Sequence, residues 1–185
     1  MLLATSAPAG ADTPQPIPLD GKRSSARFAI RVIWMAQIEG GFTSLSGHVD
    51  IDNSRQLARV DAHIDADSVR LQRDSVEAWI KSAEFFDVAH HPDIRFLSEW
   101  FPLSQLNEGG ELPGTLSLRG VSNPVVFAIL PPSCDAPGIQ CALRTYATIK
   151  RSDFGMRTRR ATLADKVNLS LDIFLQAPTS APRTP

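Results

Sequence analysis

Apolar and polar residues alternate with a period of two along most of the chain, and this limits the architectures that it can adopt. Phe28, Ile30 and Val32 alternate with Arg27 and Arg31. Such a pattern places the apolar side chains on one face of a β-strand. Similar segments recur to the last apolar run, so the sequence predicts an all-β domain whose sheet has one apolar face.

Two neighbouring segments predict their own register. A four-residue hairpin loop at residues 53–56 would place Val49 opposite Val60 and Ile51 opposite Ala58. All of these apolar partners then lie on one face of the pair, as a half-buried antiparallel hairpin requires.

One helical insertion interrupts the strands. Asp74 and Glu77 have the spacing of a capping box, which predicts a helix start at this point. The apolar stripe of this helix, about two to three turns long, consists of Val76, Trp79, Ile80 and Ala83. The sequence also predicts a break before the next apolar run, at Asn123 and Pro124.

Many short strands with one modest helix indicate an antiparallel sheet that closes into a barrel. A barrel of about eight strands either fills its interior with side chains or holds one small ligand. Small residues at predicted inward positions favour a cavity. In the alternative, the helix, Phe85 and Phe86 fill that space. The small inward residues are Ala58, Ala62, Ala66, Ser98, Gly114, Thr145 and Ala147.

Charge, hydropathy and motifs exclude several functional classes. The net charge of −1 gives no overall field for holding nucleic acid. The longest apolar run, residues 125–130, is far shorter than the roughly 20 residues of a membrane-spanning helix. The sequence contains no nucleophile elbow, phosphate-binding loop, dinucleotide fingerprint or His-Glu-x-x-His pair. We therefore expect a protein that is not an enzyme.

Two further groups of residues are candidates for a metal site and for a head-group site. His48 and His63 are predicted beside Asp61 and Asp65 on outward faces, but solvated histidines near carboxylates are more common than metal ligands, so no metal is expected. Arg157, Arg159 and Arg160 lie between the last two strands, where guanidinium groups could meet a phosphate or carbonyl head group. A solvated loop is the alternative.

The two cysteines and the chain ends bear on the compartment. Cys134 and Cys141, with six residues between them around a predicted turn, favour a disulfide and hence an oxidising compartment. Paired free thiols are the alternative. Residues 1–20 resemble the small-residue end of a truncated or incomplete signal peptide, or else a disordered segment. Residues 177–185 are expected to be a disordered tail, which leaves a single domain at residues 21–176.

Four ordered strings extend in order and spacing over about residues 24–176. They are Gly41-Phe42-Thr43 with Gly47, Ser82-Ala83-Glu84-Phe85-Phe86-Asp87-Val88, Gly114-Thr115-Leu116-Ser117-Leu118-Arg119-Gly120-Val121, and Lys150-Arg151-Ser152-Asp153-Phe154-Gly155-Met156. Together they resemble the YceI-like family of lipocalin-like, polyisoprenoid-binding bacterial proteins. The resemblance implies a lipocalin-like eight-stranded antiparallel β-barrel with a helical insertion, an elongated apolar cavity and export to the periplasm.

The resemblance also implies a ligand: the isoprenoid chain of a quinone or of a polyprenyl phosphate, or a fatty-acid-like lipid, with no other cofactor. Trp34, Val32 and the pair Trp79-Ile80 depart from residues common in the family and would narrow the cavity. The residues expected to line it are Phe28, Ile30, Val32, Trp34, Val49, Val60, Ala62, Ile64, Phe96, Leu116, Leu118, Ala147, Leu169 and Leu171.

Two functions follow from this reading. The first is a carrier or sequestering protein for an isoprenoid lipid. The second is an interaction module, in which the barrel is filled and its outer face docks a respiratory or membrane-associated partner. A homodimer is compatible with the family, whereas a nucleic-acid partner is not expected.

Overall fold

The alternating segments of the sequence form the strands of the structure, a computed structural model that describes residues 15–32, 36–159 and 161–177. Trp34 and Arg160, both predicted site residues, lie outside these residues, as do residues 1–14. The described strands are β1 (Gln15–Pro18), β2 (Ser25–Val32), β3 (Ala36–Phe42), β4 (Leu45–Asp52), β5 (Leu57–Asp65), β6 (Val69–Arg70), β7 (Asp93–Ser98), β8 (Phe101–Pro102), β9 (Gly110–Leu118), β10 (Val121–Ile129), β11 (Leu143–Lys150) and β12 (Leu163–Ile173).

The strands form one antiparallel sheet that curls until its two sides meet. Its order is β1-β4-β5-β7-β9-β10-β11-β12-β2-β3-β6. A 3-10 turn, Ala66–Ser68, joins β5 to β6, and β6 pairs with β3. Where β3 bends into β4, the Thr43 N–H donates to the Ser68 carbonyl at 3.2 Å. β3 and β4 together form one bent strand, and so do β5 and β6. The barrel wall then has eight strand positions: β2, β3 with β4, β5 with β6, β7, β9, β10, β11 and β12.

The register of the β4–β5 hairpin is confirmed. Val49 lies opposite Val60, and the loop occupies residues 53–56. Asp52 stabilises this loop, because its carboxylate accepts hydrogen bonds from the Ser54 hydroxyl at 2.6 Å and the Arg55 N–H at 3.0 Å. The hydrogen bond from Ser54, followed by that from Arg55, lowers the pKa of Asp52.

The predicted break at Asn123 and Pro124 is wrong, because β10 runs through both residues and places Pro124 opposite Thr115 of β9. This part of β10 has no pairing to β11, which pairs only with Ala128 and Ile129. Proline is tolerated where a strand lacks a partner on one side. The inward face of β10, which the sequence left undecided, carries Val125, Phe127 and Ile129.

The inserted helix α1 (Asp74–Lys81) is present, but the predicted capping box is not. Arg73 is the N-cap residue and makes no side-chain capping bond. The Glu77 carboxylate accepts instead from the Leu71 N–H at 3.2 Å, outside the helix. Ala83 lies beyond the helix and is exposed. A second short helix, α2 (Gln105–Glu108), lies between β8 and β9.

Each end of the barrel is covered. The segment of residues 74–91, which contains α1 and which we call the cap segment, covers one end with Phe85 and Phe86. The other end lies beneath α2 and residues 131–142, which we call the cysteine loop. The predicted disulfide between Cys134 and Cys141 is confirmed, with a Cα–Cα distance of 6.1 Å.

The cysteine loop and the N-terminal strand extend the fold at this second end. The Leu175 N–H donates to the Gly138 carbonyl at 2.7 Å, which ties the loop to the chain after β12. Strand β1 pairs with β4, and Leu19 bridges to Leu175. Ordered structure therefore begins before residue 21, the predicted domain boundary.

A buried arginine fixes the connection between β11 and β12. Arg151 is 1% exposed and begins the 3-10 turn Arg151–Phe154. Its guanidinium donates to the backbone carbonyls of Met156 at 2.6 Å, Ala164 at 3.0 Å and Leu163 at 3.3 Å. These bonds satisfy carbonyl groups inside a low-dielectric region, where unpaired polar groups are costly.

We expect Arg151→Met to lower the free energy of unfolding by about 3 kcal/mol, because the three carbonyls lose their donor. Urea titration would measure the change. Lys150→Met is the matched control, since Lys150 is exposed and should change stability by less than about 0.5 kcal/mol. Equal losses in the two variants would contradict this role of Arg151.

Candidate functional site

Two apolar cavities lie end to end inside the barrel. The cap-side cavity, beneath Phe85 and Phe86, has a volume of about 70 Å³. The far cavity, toward the cysteine loop, has a volume of about 50 Å³. The two share four lining residues at the point where they meet, which we call the waist: Ala62, Phe96, Phe127 and Leu171.

Most of the residues predicted to line a cavity do so. Ile30, Val32 and Ala147 line neither cavity, although Ile30 and Ala147 are buried in the same core. Trp34 lies outside the described residues. The predicted residues that line one or both cavities are Phe28, Val49, Val60, Ala62, Ile64, Phe96, Leu116, Leu118, Leu169 and Leu171.

Sequence reasoning missed other parts of the wall. Phe127 was missed because the unbroken apolar run around it gave no alternation from which to choose an inward face. The sequence indicates Phe85 and Phe86 only as residues that fill the barrel. The residues missed in the cap-side cavity are Ala26, Arg27, Phe42, Phe85, Phe86, Ile94, Phe127, Ile149, Met156 and Val167.

The small inward residues are buried as predicted, but aromatic rings take much of the space that they leave. A Cβ atom on Gly114 would lie 2.7 Å from Cζ of Phe96, so the glycine accommodates that ring. Gly40 does the same for Phe28, whose Cζ would lie 2.5 Å from an added Cβ. The free interior is therefore smaller than the small residues alone indicate.

A connected group of phenyl rings closes the cap-side cavity. Phe86 contacts Phe28 and Phe42, each at a centroid distance of 5.7 Å. Phe85 contacts Phe86 at 5.2 Å and Trp79 at 5.4 Å. Both phenylalanines belong to the cap segment, and the cap-side cavity remains beneath them.

Surface contacts hold the cap segment over the barrel. Arg119, in the β9–β10 turn, donates to the carbonyls of Ala83 at 2.8 Å and Gly155 at 3.0 Å. The Thr158 hydroxyl donates to the Glu84 carbonyl at 3.2 Å. The loop of residues 155–159 is thereby joined to the cap segment.

Glu84 organises the outer side of this junction. Its carboxylate accepts from the Trp79 indole N–H at 2.8 Å and lies 3.5 Å from Nε of Arg159. The Trp79 hydrogen bond and the Arg159 charge lower the pKa of Glu84. The guanidinium of Arg159 also lies 5.0 Å from the centre of the Trp79 ring.

The three predicted head-group arginines thus differ in their placement. Arg159 is already paired with Glu84 of the cap segment. Arg157 is exposed and forms no side-chain hydrogen bond or ion pair with any described residue. Arg160 lies outside the described residues. The loop that carries them lies against the cap segment and so beside the cap-side cavity.

The interior itself offers almost no polar surface. Arg27 is the one charged residue among those lining the cap-side cavity, and its guanidinium pairs with Asp172 on the outer face. In the far cavity, Thr145 is the one side chain with a hydroxyl group among the lining residues. Apolar cavities of this kind remain dry and accept apolar guests, but they cannot hydrogen-bond a polar head group.

The histidines of the outer face lie close to neighbouring carboxylates. His63 lies 3.2 Å from Asp61 and 3.3 Å from Asp93, while Arg95 pairs with Asp61 at 2.6 Å. The Arg95 hydrogen bonds lower the pKa of Asp61. Among the described residues, no group of three or more His, Cys, Asp or Glu has an arrangement suited to a metal ion.

A groove of about 1,030 Å³ lies on the outer face of β10, β11, β12, β2 and β3. Val126 and Tyr146 lie in it and are 52% and 48% exposed, which is unusual for large apolar side chains in this chain. Within the described residues, no helix has the length and hydropathy required to cross a bilayer.

Three proteins are similar to this chain, one by its sequence and two by their solved structures. The protein YceI of Salmonella arizonae is 28% identical over 160 residues, covering 83% of this chain and 82% of that protein. The crystal structure of Burkholderia cenocepacia BcnA matches with a TM-score of 0.70 at 18% identity, covering 86% of this chain and 99% of BcnA. A polyisoprenoid-binding domain from Saccharophagus degradans, described as implicated in plant cell wall breakdown, matches with a TM-score of 0.64 at 17% identity, covering 89% and 100% of the two chains.

The YceI-like domain matches residues 18–175, from the end of β1 to just beyond β12. These residues contain the barrel, the cap segment and the cysteine loop. The chain therefore belongs to the YceI-like domain family.

Proposed function

We propose that this protein binds an isoprenoid-type lipid inside the barrel and carries or sequesters it without catalysing a reaction. The observation that carries the proposal is the pair of aligned cavities with almost wholly apolar walls, covered at one end by the cap segment. Membership of the YceI-like family supports it, as does the likeness to a solved polyisoprenoid-binding domain.

Burial of the lipid tail would supply most of the binding energy. An isoprene unit has five carbons, and at about 0.8 kcal/mol per buried carbon one unit contributes roughly 4 kcal/mol before the chain is ordered. Saturated and unsaturated tails with the same number of carbons would gain about the same free energy from burial. Isoprenoids are favoured over straight chains by the family resemblance rather than by the wall itself.

Insertion of a tail requires aromatic rings to move. Each cavity is smaller than the engineered cavity of about 150 Å³ that accepts benzene. Phe85 and Phe86 are the rings best able to leave, because the cap segment is attached by surface hydrogen bonds rather than by strand pairing. The head group would then remain outside, close to Arg157.

We place this function in the periplasm. The Cys134–Cys141 disulfide supports this, since such bonds persist in oxidising compartments. The ligand classes that we propose, a polyprenyl quinone or a polyprenyl phosphate, both have a polar head that the apolar interior cannot accept.

The second candidate function is an interaction module with a filled barrel. It is favoured by the small free volume of the interior and by the exposed Val126 and Tyr146 in the outer groove. Its partner would be a respiratory or membrane-associated protein, or a second copy of this chain. Cross-linking that recovers such a partner from protein free of lipid would favour it over the carrier.

Ala62→Leu should weaken binding of a polyprenyl quinone at least about tenfold, because the added carbons occupy both cavities at the waist. Titration of the quinone, followed by native mass spectrometry, measures the loss. Ala147→Leu is the matched control: it makes the same change at a buried inward position that lines neither cavity, and it should bind the quinone as the wild type does. If the folded Ala62→Leu variant also binds as the wild type does, the lipid does not occupy the interior.

Changing both Arg157 and Arg159 to Gln should weaken a polyprenyl phosphate by about tenfold and a neutral quinone by less than about threefold. The reason is that a guanidinium group strengthens only the contact with an anionic head. Changing both Arg55 and Arg144 to Gln, at exposed positions toward the opposite end of the barrel, controls for the loss of two positive charges. Equal losses for the two lipids would remove Arg157 and Arg159 from the site.

The proposal as a whole is tested by native mass spectrometry of gently purified protein, followed by organic extraction. A co-purifying isoprenoid of defined mass is the expected result. Protein that carries no lipid and refuses added quinones and polyprenyl phosphates would overturn the carrier function.

A further inference from the structure

The barrel interior is divided by two aromatic side chains. At the waist, the rings of Phe96 and Phe127 lie 4.8 Å apart between centroids, at an interplanar angle of 69°. Both rings line both cavities. A chain that passed from the cap-side cavity into the far cavity would have to displace this pair.

The waist rings are held differently from the rings of the cap. Phe96 lies on β7 between β5 and β9, where it pairs with Ala62 and Leu116. Its ring packs so closely against Gly114 that a Cβ atom on this glycine would lie 2.7 Å from Cζ of Phe96. Phe127 lies on β10, paired with Leu112. Both belong to the barrel wall and do not leave when the cap segment moves.

We propose that the Phe96–Phe127 pair is a stop that limits the length of isoprenoid chain that the protein buries. This inference rests on the proposed function. A tail inserted from the cap side would fill the cap-side cavity and the space vacated by Phe85 and Phe86, and would end at the waist. The preferred ligands are then short isoprenoids, of about two units, whose head group still reaches the loop beside the cap.

The test compares isoprenoid alcohols of ten, fifteen and twenty carbons, with dissociation constants measured by titration. Without a stop, each further five-carbon unit would raise affinity by about 700-fold at most, because roughly 4 kcal/mol of burial corresponds to almost three factors of ten. For the wild type we expect less than about a threefold gain beyond ten carbons, because further units remain in water. Phe96→Leu should restore a gain of about tenfold from ten to fifteen carbons, because the small far cavity can take part of one further unit but not a second.

Phe101→Leu is the matched control. Phe101 lines the far cavity alone, so this substitution enlarges the interior by a similar amount without opening the waist. It should leave the dependence on chain length as in the wild type. Phe127→Leu, which opens the waist from the other side, replaces Phe96→Leu if thermal unfolding shows that the latter does not fold.

The outcomes separate the stop from the function beneath it. A wild type that gains about tenfold or more for each unit beyond ten carbons would overturn the stop and leave lipid binding intact. The stop is also overturned if Phe101→Leu extends the preferred chain length as Phe96→Leu does, because the total volume of the interior would then determine that length. If the folded wild type binds none of the alcohols, the proposed function fails, and the stop fails with it.

Discussion

Closure of the sheet on itself is the constraint from which the rest of the structure follows. Because β3 pairs with β6, and β6 continues β5, one face of a single sheet must form the whole core. In the part of the chain that the structure describes, no second layer supplies side chains to that core, apart from the two end covers. The interior is therefore filled from its own wall, and phenyl rings set against glycines are the means by which a wall with many small residues still packs closely.

The parts that the sequence predicted are those that depend on local periodicity. The β4–β5 register followed from which apolar residues had to share a face, and the disulfide followed from two cysteines around a turn. The free volume could not be predicted in this way, because it depends on rings such as Phe96 and Phe127 that come from distant strands. Arg151 was equally hidden: it stands in a basic stretch, yet its charge is buried among carbonyls.

The candidate site has an apolar interior and a polar margin in which Glu84 and Arg159 already pair with each other. Glu84, Trp79 and Arg159 form a group on the outer side of the cap segment, with a carboxylate kept ionised by its neighbours. A charged head group arriving at this margin would compete with Glu84 for Arg159. Recognition of the head and release of the cap would thus draw on the same side chain, which couples the two steps energetically.

The two ends of the barrel are closed in unlike ways. A disulfide closes the cysteine loop on itself, and a backbone hydrogen bond from Leu175 to Gly138 ties this loop to the chain after β12. Side-chain contacts with backbone carbonyls and three ion pairs hold the cap segment. Only the cap end is therefore held by contacts that can break without unpairing a strand. A lipid that enters at the cap end would also leave there. A protein that donates the lipid and a protein that accepts it would then have to dock on the same surface one after the other, and could not bind at opposite ends at the same time.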